Sequence, residues 1–514
     1  MRILTSEQAY FLDKTSIDNF GISSIDLMGN AGQRIALNIE EILAKVSKPK
    51  ILIICGKGNN GGDGYAAAII LKKRGYSVKI HSTIPVNNIT NEALFFYNQC
   101  IELKISISYG GSIDETIKAD LIIDCILGIG FKGKVRDEII PILTWVNNTD
   151  TKVVSIDLPS GLNCDTGVVE PTAIRADVTL ALGAPKVGMF LREGPEYCGK
   201  VITEDIGFPS IDKEKFPGMY WELNPRELTR QNFQKPDDLI NKSSAGKILI
   251  IAGSKGMTGA AILATYGALR SGAGVTITIN PSSLNDIYEK TIIEGMTFSV
   301  EDNNSGFLAE EHYDIIMEKI DWADSVVLGP GLGRNPSTQN LIKKLVSNIR
   351  KPIVLDADGL YPFSNKIEIL CQRDSPLIIT PHLTELARLL GCKKEMILSD
   401  FSNIMTSFRK KYRQVCVVKQ VPACIMFANS IRINTTGNPG LASAGTGDVL
   451  TGIIASLVSK GLNCYDAASV GTYIHGQTSD ELVERKGYRG QLSSDLVEFL
   501  PLTISSYEKP KTSV

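Results

Sequence analysis

The feature that most constrains this chain of 514 residues is a rhythm of short, continuously apolar, β-branched runs recurring between amphipathic stretches. Of the runs 50-KILIIC-55, 77-SVKIHS-82, 120-DLIIDC-125, 152-KVVSIDLP-159, 177-DVTLAL-182 and 200-KVITEDI-206, most carry apolar residues in succession and not only at alternate positions. Such strands are buried on both faces, and the intervening helical stretches supply the cover, so the pattern predicts a parallel sheet with helices on both sides. The rhythm lapses over residues 207–245, where prolines and charges lack sustained periodicity, and this stretch is read as a linker with some short elements. It resumes with 247-KILIIAG-253, 274-GVTITIN-280, 324-DSVVLGPGLG-333, 352-PIVLDADG-359 and 375-SPLIITP-381. A β-meander through 414-QVCVVK-419, 422-PACIMF-427 and 430-SIRIN-434 follows, and two helices, Ala442 to Ser459 and Tyr465 to Glu484, close the pattern. The expectation is an α/β chain of two domains, residues 1–225 with a doubly wound sheet and residues 226–514 with a second α/β sheet. The two halves are not copies of each other.

Composition narrows the partners. Net charge is −2, with 54 basic and 56 acidic residues interspersed, so no basic stripe marks a nucleic-acid or membrane-surface protein, and small molecules are the expected ligands. The 10 cysteines are scattered without a C-x-x-C pair, and Cys55, Cys125 and Cys416 sit in apolar runs as small core residues. With no apolar signal segment in MRILTSEQAYFLDK and no run near the ~20 apolar residues a membrane helix needs, a reducing cytoplasmic setting is expected. The four histidines, His81, His312, His382 and His475, lack zinc-ligand spacing.

In 56-GKGNNGGDG-64, Gly56, Gly58 and Gly61 satisfy the G-x-G-x-x-G of a Rossmann turn. A plain NAD dehydrogenase is nonetheless disfavoured. The end of the next strand, 80-IHST-83, lacks the acid that would hold an adenosine ribose, and the loop carries Asn59, Asn60 and Asp63, which a pyrophosphate turn does not need. The segments 124-DCILGIGFKGKV-135 and 157-DLPSGLNCDTG-167 also end strands in an acid followed by a glycine turn. Each loop taken singly is an ordinary turn. Three on one sheet edge converge on the crevice where such sheets bind ligands, and Asn60, Asp124 and Ser160 offer hard oxygens for a cation.

In the second half, 437-GNPGLASAGTGDVLTG-452 passes from loop to helix. Gly445, Thr446 and Gly447 would leave backbone N–H groups free at a positive helix end, an anion hole for a phosphate, with Asp448 in the first turn as a base toward a neighbouring hydroxyl.

The motifs GKGNNGGDG, DCILGIG, IDLPSG and 183-GAPKVG-188, with the helical 27-LMGNAG-32, resemble the NAD(P)H-hydrate epimerase family over about residues 1–220. That family often carries an acid or arginine where Gly29 and Asn30 stand. The resemblance implies hydrate contacts from Asn59, Asn60, Gly61, Gly62 and Asp63 and from Gly128, Ile129, Gly130, Phe131, Lys132, Gly133 and Lys134. It further implies a potassium ion held by Asn60, Asp124 and Ser160, and Asp157 as the acid/base group. The G-T-G-D helix start resembles the ribokinase-like superfamily. Within it, 251-IAGSKGMTGAAILATYGALRSGAGVT-276, 329-GPGLGRN-335, 355-LDADGL-360 and 380-TPHLTELARLL-390 resemble NAD(P)H-hydrate dehydratases over roughly 235–505. This implies hydrate contacts from Ala273, Gly333, His382 and Asp448, with Asp448 as catalytic acid/base. Nucleotide contacts would come from Lys419, Gln420, Val421, Pro422, Ala423, Asn438, Gly445, Thr446 and Gly447. Departures are Leu383 and Thr384 within TPHLTE and Gln420 where the family has glycine.

The resemblance therefore implies a Rossmann-like epimerase domain joined to a ribokinase-like dehydratase domain that uses Mg²⁺ and ADP or ATP on NADHX and NADPHX, assembled as a homo-oligomer. The rival expectation is a ribokinase-superfamily small-molecule kinase fused to a non-catalytic Rossmann-like binding module.

Overall fold

The structure, a computed structural model, describes residues 1–89, 91–114, 116–236, 239 and 241–508; Asp237, Asp238 and Ile240 of the expected linker lie outside the described residues. The chain divides into two compact units, Arg2–Trp221 and the segment from Glu222 onward. The seam precedes the expected 225/226 because Asn224 is already committed to the second unit. Its Nδ2 donates to Asn434 Oδ1 at 3.1 Å and to the Ser469 carbonyl at 2.8 Å.

The first unit carries a sheet in the order Ser106–Tyr109, Ser77–Ser82, Lys50–Cys55, Leu121–Cys125, Lys152–Ile156, Val178–Leu182, Lys200–Glu204. Every neighbouring pair is parallel. The strand-side period of two sorts the central strand between two cores. Ile51, Ile53 and Cys55 pack with Ile35, Tyr65 and Phe96 of the helices Ser24–Leu43, Asn59–Lys73 and Asn91–Glu102, while Leu52 and Ile54 pack with Ile142 and Val146 of Ile140–Asn147. Strand order reverses between Lys50–Cys55 and Leu121–Cys125, and a crevice opens beyond the carboxyl ends of strands at such a point.

The second unit orders its strands Ser430–Ile433, Cys424–Phe427, Val415–Val418, Leu377–Ile379, Ile353–Leu355, Ser325–Leu328, Lys247–Ile251, Val275–Pro281, Met296–Val300. From Val415–Val418 onward the pairs are parallel, and the expected meander supplies the two antiparallel pairs. The helix expected from Ala442 starts at Thr446, after a short 3₁₀ turn at Pro439–Leu441, and the second closing helix spans Cys464–Lys486. A further helix, Ser493–Glu508, and the edge strands Ser106–Tyr109 and Met296–Val300 were not anticipated. Among the described residues no helix is long and apolar enough to cross a membrane.

Candidate active sites

In the first unit, strand Lys50–Cys55 runs into Gly56, where a Cβ would lie 1.9 Å from the Ile126 carbonyl oxygen, so only glycine lets these two loops meet. Helix Asn59–Lys73 then begins on Gly58 without a side-chain cap, and its positive end lies beside a cavity of about 830 Å³. Asn59, Asn60 and Asp63 line that cavity, as do Gly128, Ile129, Gly130, Phe131, Lys132, Lys134 and Asp157. Gly61, Gly62 and Gly133 do not. Gly61 and Gly62 are buried in the helix, where Cβ atoms would meet the Gly56 carbonyl at 2.1 Å and the Met28 sulfur at 2.4 Å. Lys57 and Arg136 join Lys132 and Lys134 along the cavity, and these cations suit it to phosphates.

Beneath the loops, Asp124 and Ser160 are fully buried. The Asp124 carboxylate accepts from Ser155 Oγ at 2.8 Å, the Ser160 amide at 2.9 Å, the Ile126 amide at 3.2 Å and Ser160 Oγ. Burial pushes its carboxyl up, and these hydrogen bonds act against that shift. Asn60 Nδ2 donates to the Leu127 carbonyl at 2.8 Å, whereas its Oδ1 is buried without a partner among the described residues. The Asn30 side chain donates to the Ile206 carbonyl at 3.0 Å, and nothing in the structure explains why glycine stands at 29.

Asp157 has a left-handed backbone, φ 64°, immediately after strand Lys152–Ile156. Its amide donates to the Leu180 carbonyl at 2.8 Å, and its Oδ1 accepts from the Leu182 amide at 3.1 Å. Lys186, almost wholly buried, forms an ion pair with the same carboxylate. Reading the sequence did not single out Lys186, although it lies in GAPKVG, or Asp13, which lies in the segment inspected only for a signal peptide. Asp13 reaches the cavity on helix Ser6–Phe20. That helix starts with a capping box between Thr5 and Gln8, and Ser6 donates through its amide and its Oγ to Asp165, both at 2.6 Å. Hydrogen bonds from the Leu4 amide to Pro185 (2.8 Å) and from the Val187 amide to Leu4 (3.0 Å) tie its entry beside Lys186. Burial, with the nearby charge of Asp157, raises the Asp13 carboxyl to about 6, and burial holds Asp63 well above the usual carboxylate range.

In the second unit, residues following the carboxyl ends of three parallel strands meet the amino end of helix Thr446–Ser459. Asp356 follows Ile353–Leu355, His382 follows Leu377–Ile379 and Lys419 follows Val415–Val418. Lys419 Nζ binds Asp356 Oδ1 at 2.5 Å, and Thr451 Oγ1 donates to Asp356 Oδ2 at 2.9 Å. The Lys419 amide donates to the Pro381 carbonyl at 2.8 Å, joining two of the loops. Gly445, at φ 88°, turns the chain into the helix with no side-chain cap, which leaves the amides of the first turn for a ligand. A Cβ on Gly447 would stand 3.0 Å from Lys419 Nζ. Asp448 lies in that turn, and its carboxyl is raised to about 7, first by burial and then by Asp356, with Lys419 opposing. His475 backs the turn: its Nε2 meets the Thr446 carbonyl at 2.9 Å, and burial depresses the ring to about 4.

His382 caps helix Leu383–Leu390, its Nδ1 accepting from the amides of Thr384 (3.1 Å) and Glu385 (3.3 Å), so the Leu383 and Thr384 departures fall in a capped first turn. The Gly333 amide donates to Asp358 at 3.0 Å on the same edge. Gln420, Val421, Pro422 and Ala423 form the turn between strands Val415–Val418 and Cys424–Phe427, and Gln420 is outside the left-handed region that would demand glycine. Asn438 Oδ1 accepts from the Gly440 amide and its Nδ2 donates to Asp480, both at 2.8 Å. Ala273 is not brought to this group. It precedes strand Val275–Pro281, beside Ala245 and Gly246, and so lies at the amino edge of the sheet, opposite the other residues. The motif spans the whole helix Thr258–Arg270, and only one of its ends reaches the site.

Two families match by sequence: NAD(P)H-hydrate dehydratase over residues 248–502 and the YjeF-related protein N-terminus over residues 24–188. The chain is 34% identical to a bifunctional NAD(P)H-hydrate repair enzyme of Moorella thermoacetica, over 99% of this chain and 98% of that one. It is 30% identical to one of Salinibacter ruber, over 97% and 95%. Among solved structures, the ADP/ATP-dependent NAD(P)H-hydrate dehydratase of Bacillus subtilis co-crystallised with ATP and Mg²⁺ matches at 25% identity and TM-score 0.47, covering 56% of this chain and 98% of that one. With both halves matched in one continuous alignment to the curated relatives, the chain belongs to the bifunctional NAD(P)H-hydrate repair enzyme family.

Proposed function

We infer that this chain repairs hydrated NADH and NADPH. The N-terminal unit interconverts the R and S forms of NADHX and NADPHX, and the C-terminal unit returns the S form to NADH or NADPH using ADP or ATP. The observation that carries the reading is Asp448, a carboxyl set at about 7 in the first turn of an uncapped, glycine-led helix. A base poised near neutrality beside an anion-binding helix end suits proton removal coupled to phosphoryl transfer.

Hydroxide is a poor leaving group, so the C6 hydroxyl is phosphorylated first and phosphate then departs. Asp448 takes the hydroxyl proton. The amides of Gly445, Thr446 and Gly447 receive the phosphoryl oxygens, and Lys419 and the Gln420–Ala423 turn, with Asn438, hold the nucleotide. His382 and Gly333 flank the hydrate. The carboxylates Asp358 and Glu385 on this edge are donors that fit Mg²⁺, which would offset charge on the nucleotide phosphates.

In the N-terminal unit Asp157 acts as an acid/base group at the C6 hydroxyl position, while Asn59 and Asn60 with the Gly128–Lys134 loop position the hydrate. The buried, unpartnered Asn60 Oδ1 beside Asp124 and Ser160 fits a potassium ion, which would supply a fixed positive charge there. A cytoplasmic setting is part of the reading, supported by cysteines that are all free thiols. The rival kinase with an inert N-terminal module is disfavoured by the end-to-end match to bifunctional relatives. The test is recovery of reduced-nicotinamide absorbance from a mixed R and S hydrate pool on adding chain, Mg²⁺ and nucleotide. Full recovery is expected, and recovery of neither half overturns the reading.

A further inference from the structure

We propose that Asp13 is the second proton-transfer group of the N-terminal site: it protonates the departing C6 hydroxyl while Asp157 takes a proton from the water that replaces it. This assignment rests on the epimerase reading above.

The chemistry calls for two groups. C6 is bonded to the ring nitrogen, so inversion proceeds when the C6–O bond breaks with its electron pair going to oxygen and the nitrogen lone pair forming a C6=N⁺ double bond. The departing oxygen needs a proton to leave as water. A water then adds to the other face of C6, the C=N π pair returns to nitrogen, and the added water loses a proton. Atoms and electrons balance with no outside reagent, but the hydroxyl leaves from one face of C6 and the water enters from the other, so the donor and the acceptor stand on opposite faces and one fixed carboxyl does not serve both. The negative charge of Asp157 is matched by the buried Lys186 ammonium, which suits it to the acceptor's part.

Five other carboxyls line the cavity, Asp13, Asp18, Asp63, Glu92 and Glu138, and of these Asp13 and Asp63 are close enough to feel the charges of Asp157 and Lys186. They differ in how firmly they hold a proton. Burial holds Asp63 well above the usual carboxylate range, whereas Asp13, at about 6, can give its proton up and regain it. Asp13 also arrives on a separate element from Asp157, helix Ser6–Phe20 as against a strand end, and hydrogen bonds through Leu4, Ser6 and Val187 fix that element in place. The groups that bear on Asp13 are Asp157, Asp63 and Lys186 across the cavity and Tyr10 on its own helix.

The experiment uses the full chain and a mixed hydrate pool, with the dehydratase half removing the S form as it appears, so that the slow phase reports on the R form. D13N is expected to lower kcat for the R hydrate by roughly 100-fold or more with KM within a few-fold, while dehydration of S is unchanged. D13E should restore a large part. The proton on Asp13 is present below about 6 and lost above it, so the wild-type slow phase should fall as pH rises through that value, and this limb should be missing from the residual D13N activity. D13N within a few-fold of wild type overturns the assignment alone. A loss that D13E shares, with the alkaline limb retained, makes Asp13 a packing residue and also overturns it. A wild-type chain that leaves R to spontaneous exchange overturns the epimerase reading and this assignment with it.

Discussion

The two sites use the same parts, a lysine paired with a carboxylate, several further carboxyls and an uncapped glycine-rich helix start, and wire them differently. In the N-terminal unit Lys186 pairs directly with Asp157. In the C-terminal unit Lys419 is committed to Asp356, which Thr451 also holds, and Asp448 stands apart with its carboxyl near 7. Pairing the lysine with the working carboxylate holds a cation against it; pairing the lysine with a bystander leaves the working carboxyl to be tuned by burial. Lysine placement thus separates a site whose proton must travel both ways from one that takes a proton once.

The largest effect should come from D448N, which keeps the helix start and removes the base. S-hydrate dehydration should drop by about 100- to 10,000-fold with R–S exchange intact, and a loss of only a few-fold would break the comparison at its C-terminal end. D157A should consume the S half of a mixed pool promptly and leave the R half to its spontaneous rate, whereas N60A and D124A, which alter positioning, should cost less. Wild-type conversion of both halves by D157A would leave the N-terminal unit with no part in R–S exchange. Next in size is a pH effect: because Asp448 must be deprotonated, kcat/KM for dehydration should rise as pH passes about 7 and then level off, whereas K419M should move that midpoint upward. ADP is expected to support dehydration a few-fold better than ATP, and equal or higher kcat/KM with ATP would refute this. The smallest effect is on stability. A carboxyl raised in the folded chain contributes stability below its unfolded value that is lost as pH rises through about 7, so D448N should unfold a few degrees higher than wild type at pH 8 and show no such gain at pH 4.

The central strands and the glycine turns were legible because each strand is apolar on both faces and each turn sits where the apolar run stops. The edge strands Ser106–Tyr109 and Met296–Val300 were not, since they lie largely exposed or half-buried and carry no apolar run. Asp157, Asp448 and Asp124 were legible as acids at strand ends or a helix start. Asp13 was not, because a single acid on an amphipathic helix looks like solvent-facing surface until a cavity lies beside it. Asp356 sits in the quoted LDADGL segment, but only the fold brings it to Lys419, 63 positions away. Ala273 shows the converse, a motif residue that helix Thr258–Arg270 carries back to the amino edge of the sheet.

The left-handed backbone at Asp157 sets this position's tolerance to mutation. A non-glycine residue at φ 64° is at odds with its own Cβ, at a cost of about 1 kcal/mol or more, and asparagine and glycine bear it best. Glycine at this position would relieve the strain but remove the carboxylate that pairs with buried Lys186 and accepts from the Leu182 amide, at a cost of about 3 kcal/mol or more, so a library selected for thermal endurance alone should reject Asp157→Gly. Selection for heat and selection for turnover therefore hold this one residue together, and aspartate kept here does not by itself record which pressure acted.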